Sequence, residues 1–443
     1  MWHAILSRLR IGLGIAGVSW VCCAAWSADA AGQDFESEPI SYAKQSADNP
    51  VSRLFRQLEQ GDNRLAYHPQ FGYLPALLKA LDVPVSSQTL VYSKTSLQRH
   101  RIAPRTPRAI YFNDDVYIGY CQDGDVLEIS VADDRLGTVF YSLDQAETAD
   151  LHLVRQTDNC LICHGSSATR QVPGHLVRSV YVDASGLPML ASSTYRTDYT
   201  SPFNQRWGGW YVTGTHGNQK HLGNYVHQGH GQPERADNSA GQNVASLADR
   251  FDTSKYLTPH SDLVALMVLE HQVAFHNALV FANFQTRQAT HYEKTLNEGL
   301  GEPAGTAWES TGRRIAAGCE PLVECLFFCE EAELTAPIRG TSAYADEFAR
   351  RGPHDAAGRS LHEFDLSRRI FRYPCSYLIY TSGFRNLPPE AMQYVRRRMH
   401  EVLDGTDASR KFAHLSADDR RAIREILTAT LPEFRLPTQV SAD

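Results

Sequence analysis

Residues 158–165 read Asp-Asn-Cys-Leu-Ile-Cys-His-Gly, and within them Cys160-x-x-Cys163-His164 is a complete c-type haem attachment signature. Two thiols one helical turn apart can each add to one vinyl group of a single haem, forming two thioethers. The histidine directly after the second thiol then lies under the macrocycle and binds iron through an imidazole nitrogen. The spacing therefore assigns Cys160 and Cys163 as covalent attachment points for one haem c and His164 as the metal ligand. Asp158 or Asn159 is placed to N-cap the short helix. Three other chemistries compete for the pair of thiols. A thioredoxin-like dithiol needs a buried apolar strand directly before it, whereas Arg155-Gln156-Thr157-Asp158-Asn159 is polar. A zinc half-site needs a second Cys/His pair, and an ordinary disulfide needs nothing more.

The sixth iron position separates an electron carrier from a haem enzyme or sensor. Met189, His175 and His216 are the candidates, and the fourth possibility is an open position. His216, His221, His227 and His230 crowd a Gly-rich stretch, but without the fixed spacing of a metal site. His271 and His276 are five residues apart, about 140° around a helix axis, so they do not form the i,i+4 pair of a zinc helix. Core or interface positions are expected for both. Arg206-Trp207-Gly208-Gly209-Trp210-Tyr211 would suit either a wall against a haem face or an ordinary strand with two packed tryptophans.

These residues need elements to hold them. Val51 to Leu58 and Leu74 to Leu81 have helical spacing. From Gln88 short β-rich runs follow: Thr89–Tyr92, Ala109–Phe112, Val116–Tyr120, Val126–Val131 and Thr138–Leu143, each bounded by Asp, Asn, Gly or Pro. Further strands are expected at Val177–Val182, Met189–Tyr195 and Trp207–Thr215. Residues 158–164 interrupt this region as a short helix. Gly214 to Gly241 has no apolar period and reads as a long loop at a domain boundary. Ser261-Asp262 then offers an N-cap to a helix running to about Arg287, apolar nearly all round and so expected at the centre of a helical region. Glu270 and His271 interrupt it too early for a membrane span. More helices are expected at about 306–333, 343–351, 388–403 and 416–430. The fold class is therefore α+β, a β-rich central region carrying the haem helix followed by a mainly helical C-terminal region. The expected division is a signal peptide over 1–30, an N-terminal helical segment over 31–87, a β-rich haem domain over 88–235 and a mainly helical domain over 243–443.

The chain has 443 residues, 42% hydrophobic and 21% charged, ordinary for a globular protein. A net charge of −7 without long basic blocks disfavours binding to nucleic acid through phosphate contacts. Arg8 and Arg10 precede an uncharged run from Ile11 to Trp26, and Ala28-x-Ala30 matches what a signal peptidase accepts. Residues 1–30 thus read as an export signal, which places the protein in the periplasm or outside the cell. A membrane attachment would follow only from an uncleaved signal segment. Removing Arg8, Arg10 and Asp29 would leave a charge of −8. Export agrees with the motif, because c-type haem is attached across the membrane from synthesis by the cytochrome c maturation machinery. Cys22 and Cys23 would leave with the signal, and with Cys160 and Cys163 set aside, Cys121, Cys319, Cys325, Cys329 and Cys375 remain. Five is an odd number, so at least one thiol stays free or pairs between chains, and for Cys319, Cys325 and Cys329 packing thiols or one disulfide fit better than a metal cluster, for which no fourth ligand has suitable spacing.

The chain resembles a family of exported, single-haem c-type cytochrome-domain proteins of environmental bacteria whose function is uncharacterised. The resemblance lies in Pro107 to Asp114, Cys160 to His164, Val172 to Ser179, Arg206 to Gly217 and Phe371 to Tyr380. It implies Cys160 and Cys163 as thioether residues and His164 as axial ligand, and it supplies no substrate. Two functional expectations follow. The leading one is one-electron transfer through the haem to an unidentified redox partner protein. The alternative is a haem enzyme or small-ligand sensor, peroxidase-like or gas-binding, with an open iron position. A third class of role makes the helical region an interaction module and the haem a structural clamp.

Overall fold

The computed structural model describes residues 35–62, 64–148, 151–229 and 231–431. The expected signal segment 1–30, with Cys22 and Cys23, and His230 lie outside the described residues.

Two helices come first, α1 (Pro50–Glu59) and α2 (Leu74–Ala80). Asn49 starts α1 with a capping box, its side chain accepting from Ser52 N–H while the Ser52 hydroxyl accepts from Asn49 N–H. The strands follow: β1 (Thr89–Val91), β2 (Arg108–Phe112), β3 (Val116–Tyr120), β4 (Val126–Asp133), β5 (Gly137–Asp144) and β6 (Leu153–Gln156). Next are α3 (Leu161–His164), β7 (Arg178–Val180), β8 (Thr194–Arg196), β9 (Trp210–Tyr211) and β10 (Gly214–Thr215). The C-terminal region holds α4 (Leu263–Leu300), α5 (Glu309–Leu326), β11 (Arg339–Gly340), α6 (Tyr344–Arg351), α7 (Ser382–Arg385), α8 (Pro389–Leu403) and α9 (Ala417–Thr430). The chain is thus mixed α and β: an antiparallel seven-stranded sheet in its central region, then a helical C-terminal region.

The sheet runs β6-β5-β4-β3-β2-β1-β9. Alternation along its strands gives it two faces. Leu90, Tyr111, Ile118, Leu127, Ile129, Tyr141 and Leu143 share one core with α1 and α2. Phe112 and Tyr117, on the other face, share a second core with α4 and the helices that follow. Helix α4 explains why an apolar run without a polar stripe is stable in this chain: it is enclosed. It is long and apolar enough to cross a membrane, yet 94% of its most apolar window is buried within the protein. Asp262 caps it by accepting from Val264 and Ala265 N–H, and the other oxygen of the same carboxylate accepts from Thr341 and Ser342 N–H, tying the helix start to the end of β11.

Three strand expectations are corrected. Val177–Val182 and Met189–Tyr195 shrink to the three-residue strands β7 and β8, paired with each other rather than with the main sheet. The turn Asp183-Ala184-Ser185-Gly186, closed by Asp183 accepting from Ser185 and Leu187 N–H, takes the rest. Trp207–Thr215 starts late, because Trp207 and Gly209 stand in the left-handed region at φ 64° and 82°, and is broken where Thr213 N–H turns to Ser261 O, leaving only β9 and β10, of which β10 pairs with β11. Strand β6 was not foreseen: its residues Leu-Val-Arg-Gln carry little alternation, and as an edge strand it pairs with β5 alone. The Gly214–Gly241 stretch is ordered by side-chain amides rather than by an apolar face. Asn224 bonds Val212 through both its N–H and its C=O and reaches Gly241 O, while Asn238 reaches the His221 and Gly223 carbonyls.

Candidate functional site

Cys160, Cys163 and His164 lie on the single turn of α3, directly after edge strand β6. Cys160 has helical backbone angles, so the two thiols three residues apart fall on one side of the turn. The expected side-chain cap is corrected: neither Asp158 nor Asn159 caps the helix, and the Asp158 carbonyl accepts from Leu161 N–H instead (3.0 Å). Cys160 is half-buried and Cys163 exposed, both with free sulfurs. Burial pushes the Cys160 thiol up to about 11.

The orientation of His164 is over-determined. Its Nδ1 lies 2.9 Å from the carbonyl oxygen of Gly174, which can only accept, so Nδ1 carries the ring proton and the lone pair sits on Nε2. Gly174 N–H in turn donates to the His164 carbonyl at 2.8 Å. Burial keeps the imidazole below its ordinary value, against the Gly174 bond, so the ring is neutral near pH 7. A neutral imidazole with Nδ1–H on a backbone carbonyl and a free Nε2 is the form in which a histidine binds a metal. Gly174 is required at its place: a Cβ there would run into the Asn277 side chain, which accepts from His175 N–H (2.9 Å) and donates to His175 O (2.8 Å). Helix α4 thereby fixes the segment that orients His164.

The sheet provides the floor. The His164 ring packs against Phe140 at 5.0 Å between centroids. Phe140 belongs to a cross-strand row Phe112, Tyr117, Ser130, Phe140, Gln156, and the next row on the same face is Ile110, Gly119, Glu128, Ser142, Val154. This second row has a small or polar centre and an apolar rim. Arg108 lies over Gly119, where any side chain would collide with its guanidinium, and pairs with Glu128 at 2.6 Å. Ser96 Oγ and the Gln98 backbone N–H hold the same carboxylate. The pair reaches the motif electrostatically, Arg108 lowering and Glu128 raising the proton affinity of His164. Beside it, Val154 is 50% exposed and Ile162, between the two cysteines, is 75% exposed. Two apolar side chains thus stand open to solvent at the motif.

The candidates for a sixth ligand separate. His175 is buried with both ring nitrogens in hydrogen bonds, Nε2 with Ser130 Oγ (2.9 Å) and Nδ1 with Thr138 Oγ1 (3.3 Å). His216 Nε2 accepts from Asn243 N–H (3.0 Å), which uses its lone pair. Met189, half-buried in the β7–β8 connection, is held by its backbone N–H on Tyr181 O and has no such engagement of its side chain among the described residues. Trp207 is fully buried between Phe203 and His221, with ring centroids 5.0 and 5.5 Å away, so it packs the core. Among the described residues no group of three or more His, Cys, Asp or Glu is arranged to hold a metal ion, the loop histidines and Cys319, Cys325 and Cys329 included. Cys121, Cys319, Cys325, Cys329 and Cys375 are buried free thiols. His271 and His276 are buried on α4, His271 stacked on Phe328 at 4.1 Å. No family model, curated protein or solved structure matches the chain.

Proposed function

We propose that the protein is an exported mono-haem c-type cytochrome that passes single electrons through a haem bound at α3. The observation that carries this is the tautomer of His164. Fixed by the Gly174 carbonyl, it presents Nε2 as a ligand one residue after a pair of thiols on one helical turn. The residues present fit the group. Cys160 and Cys163 would hold it by thioethers, His164 would bind its iron, and Ile162 and Val154 would gain an apolar cover. The bound group would supply reversible one-electron chemistry. The chain's own residues orient the imidazole through Gly174 and Asn277, exclude water with Phe140, and bring the Arg108 and Glu128 charges beside the site. Production with a c-type maturation system should give a protein that keeps its haem through denaturing electrophoresis. That haem should be absent from Cys160→Ala/Cys163→Ala; a parent protein without covalent haem, or a variant that keeps it, would remove the proposal.

The engagement of His175 and His216 favours keeping the second reading, an enzyme or sensor with an open iron position, because only Met189 is left of the three named ligands. Carbon monoxide binding by the reduced protein decides. Inertness supports the carrier with Met189 bound, and rapid stoichiometric binding supports the open site.

A further inference from the structure

Tyr117, in the sheet row beside His164, is 5% exposed, and its phenol meets α4. Elimination fixes the direction of each hydrogen bond around it. Gln272 Nε2 gives one proton to the Asn113 carbonyl (2.6 Å) and the other to Tyr117 Oη (2.8 Å), while Gln272 Oε1 accepts from the Tyr377 hydroxyl (2.7 Å). A phenol has a single proton, and because Gln272 Nε2 can only donate, Tyr117 Oη accepts there and keeps that proton for its other partner, the His276 ring. The phenol proton of Tyr117 therefore points at His276 Nδ1, with O···N 3.2 Å. Burial holds His276 down to about 4, so the imidazole is neutral near pH 7. A chain of rings joins this pair to the candidate site: Tyr117 to His175 at 4.1 Å, His175 to Phe140 at 6.2 Å, Phe140 to His164 at 5.0 Å.

A phenol that loses an electron becomes a very strong acid, and in a dry interior its oxidation is hindered unless the proton has a base to go to. Tyr117 has such a base at hydrogen-bond distance. We propose that Tyr117 and His276 form a proton-coupled redox site, a second one-electron centre beside the one at His164. A strong one-electron oxidant such as an inorganic radical takes one electron from Tyr117. The phenol O–H bond breaks, an N–H bond forms at His276 Nδ1, and a neutral phenoxyl faces an imidazolium. Return of one electron from a one-electron reductant, with the proton coming back from His276, restores the phenol; a haem held at Cys160, Cys163 and His164 would supply such an electron. The pair itself stands on its own hydrogen bonds, and only this last exchange rests on the haem reading.

The test is pulse radiolysis of the purified full-length protein, with azide radicals as the oxidant. Wild type, Tyr117→Phe and His276→Gln are compared through the phenoxyl absorption and the paramagnetic resonance of freeze-trapped samples. Circular dichroism confirms that each is folded. The expected result is a phenoxyl in wild type that outlives the radicals of exposed tyrosines, is lost in Tyr117→Phe, and decays more slowly in heavy water. His276→Gln should lower its yield. A long-lived phenoxyl that survives Tyr117→Phe, or none in folded wild type, overturns the proposal. If His276→Gln does not fold, Tyr117→Phe and the isotope effect still decide. A phenoxyl formed in Cys160→Ala/Cys163→Ala, where the thioether attachment points are gone, upholds the pair whatever becomes of the haem reading. A phenoxyl that fails to oxidise ferrous haem in the haem-bearing protein refutes the exchange alone.

Discussion

At the scale of single residues, the site is held by contacts that the motif itself does not contain. Asn277 occupies the junction: it satisfies both backbone groups of His175, and the carbonyl just before them sets the tautomer of His164. Asn277→Ala should leave two buried backbone groups unpaired and cost roughly 2–4 kcal/mol in denaturant unfolding. The same variant should change the reduction potential of any bound haem, because the Gly174 carbonyl is then free to drift; an unchanged potential would deny Asn277 its positioning role. The candidate attachment residues were legible in the sequence, since the spacing of Cys160-x-x-Cys163-His164 itself suggests a chemistry. Phe140, Gly174 and Asn277 were not, because each acts through a contact between segments far apart in the chain. The hydrogen bonds that occupy the ring nitrogens of His175 and His216 also needed the fold to be seen.

At the scale of elements, the long runs were readable and the short ones were not. Helix α4 was expected from Asp262, where it starts, and as a buried helix, though it runs to Leu300, beyond Arg287. Its polar C-terminal third lacks the apolar signal that made the first part visible. The two- and three-residue strands β7 to β11 lie below what period-two alternation can show. One feature of α4 was hidden altogether: Glu270 and Arg206 form a fully buried ion pair at 3.0 Å, and Arg206 also donates to the Tyr199 and Ser201 carbonyls. Glu270→Ala should strand the Arg206 charge in the core and lower unfolding free energy by about 3–5 kcal/mol. Replacing both residues, as Arg206→Met with Glu270→Leu, should recover much of that loss. A Glu270→Ala variant as stable as wild type would contradict this account of how α4 is locked to the segment before β9.

At the scale of the whole molecule, buried neutral imidazoles tie stability to pH. Burial holds His271 and His362 down to about 3 and His276 to about 4, all below the ordinary value of 6.5. Below pH 6.5 the unfolded chain takes up protons that the folded chain refuses, so the stabilisation is complete above pH 6.5 and is lost as pH falls toward 4. Each such imidazole contributes about 1.4 kcal/mol per pH unit across that window. Asp115, Glu270 and Glu331, raised by burial to about 7, act in the opposite sense, but His175 and His221, also held well below 6.5, leave the imidazoles in the majority. Urea midpoints should therefore fall steadily from pH 7 to pH 5, and a flat profile would contradict this balance. The division into sheet and helical regions was legible from the short bounded β-rich runs and the long apolar run that follows them. Their union was not: Gln272, Tyr377 and Tyr117 join helix and sheet through hydrogen bonds that no local pattern encodes.

The central claim is that Cys160 and Cys163 hold one haem covalently, with His164 on its iron. An alkaline pyridine haemochrome spectrum, taken on the purified protein after acid–acetone extraction, tests it most directly. The account predicts that a c-type α band survives extraction at one haem per chain and disappears from Cys160→Ala/Cys163→Ala. Protein that emerges from extraction without haem would contradict the account and return the two thiols to dithiol or metal chemistry.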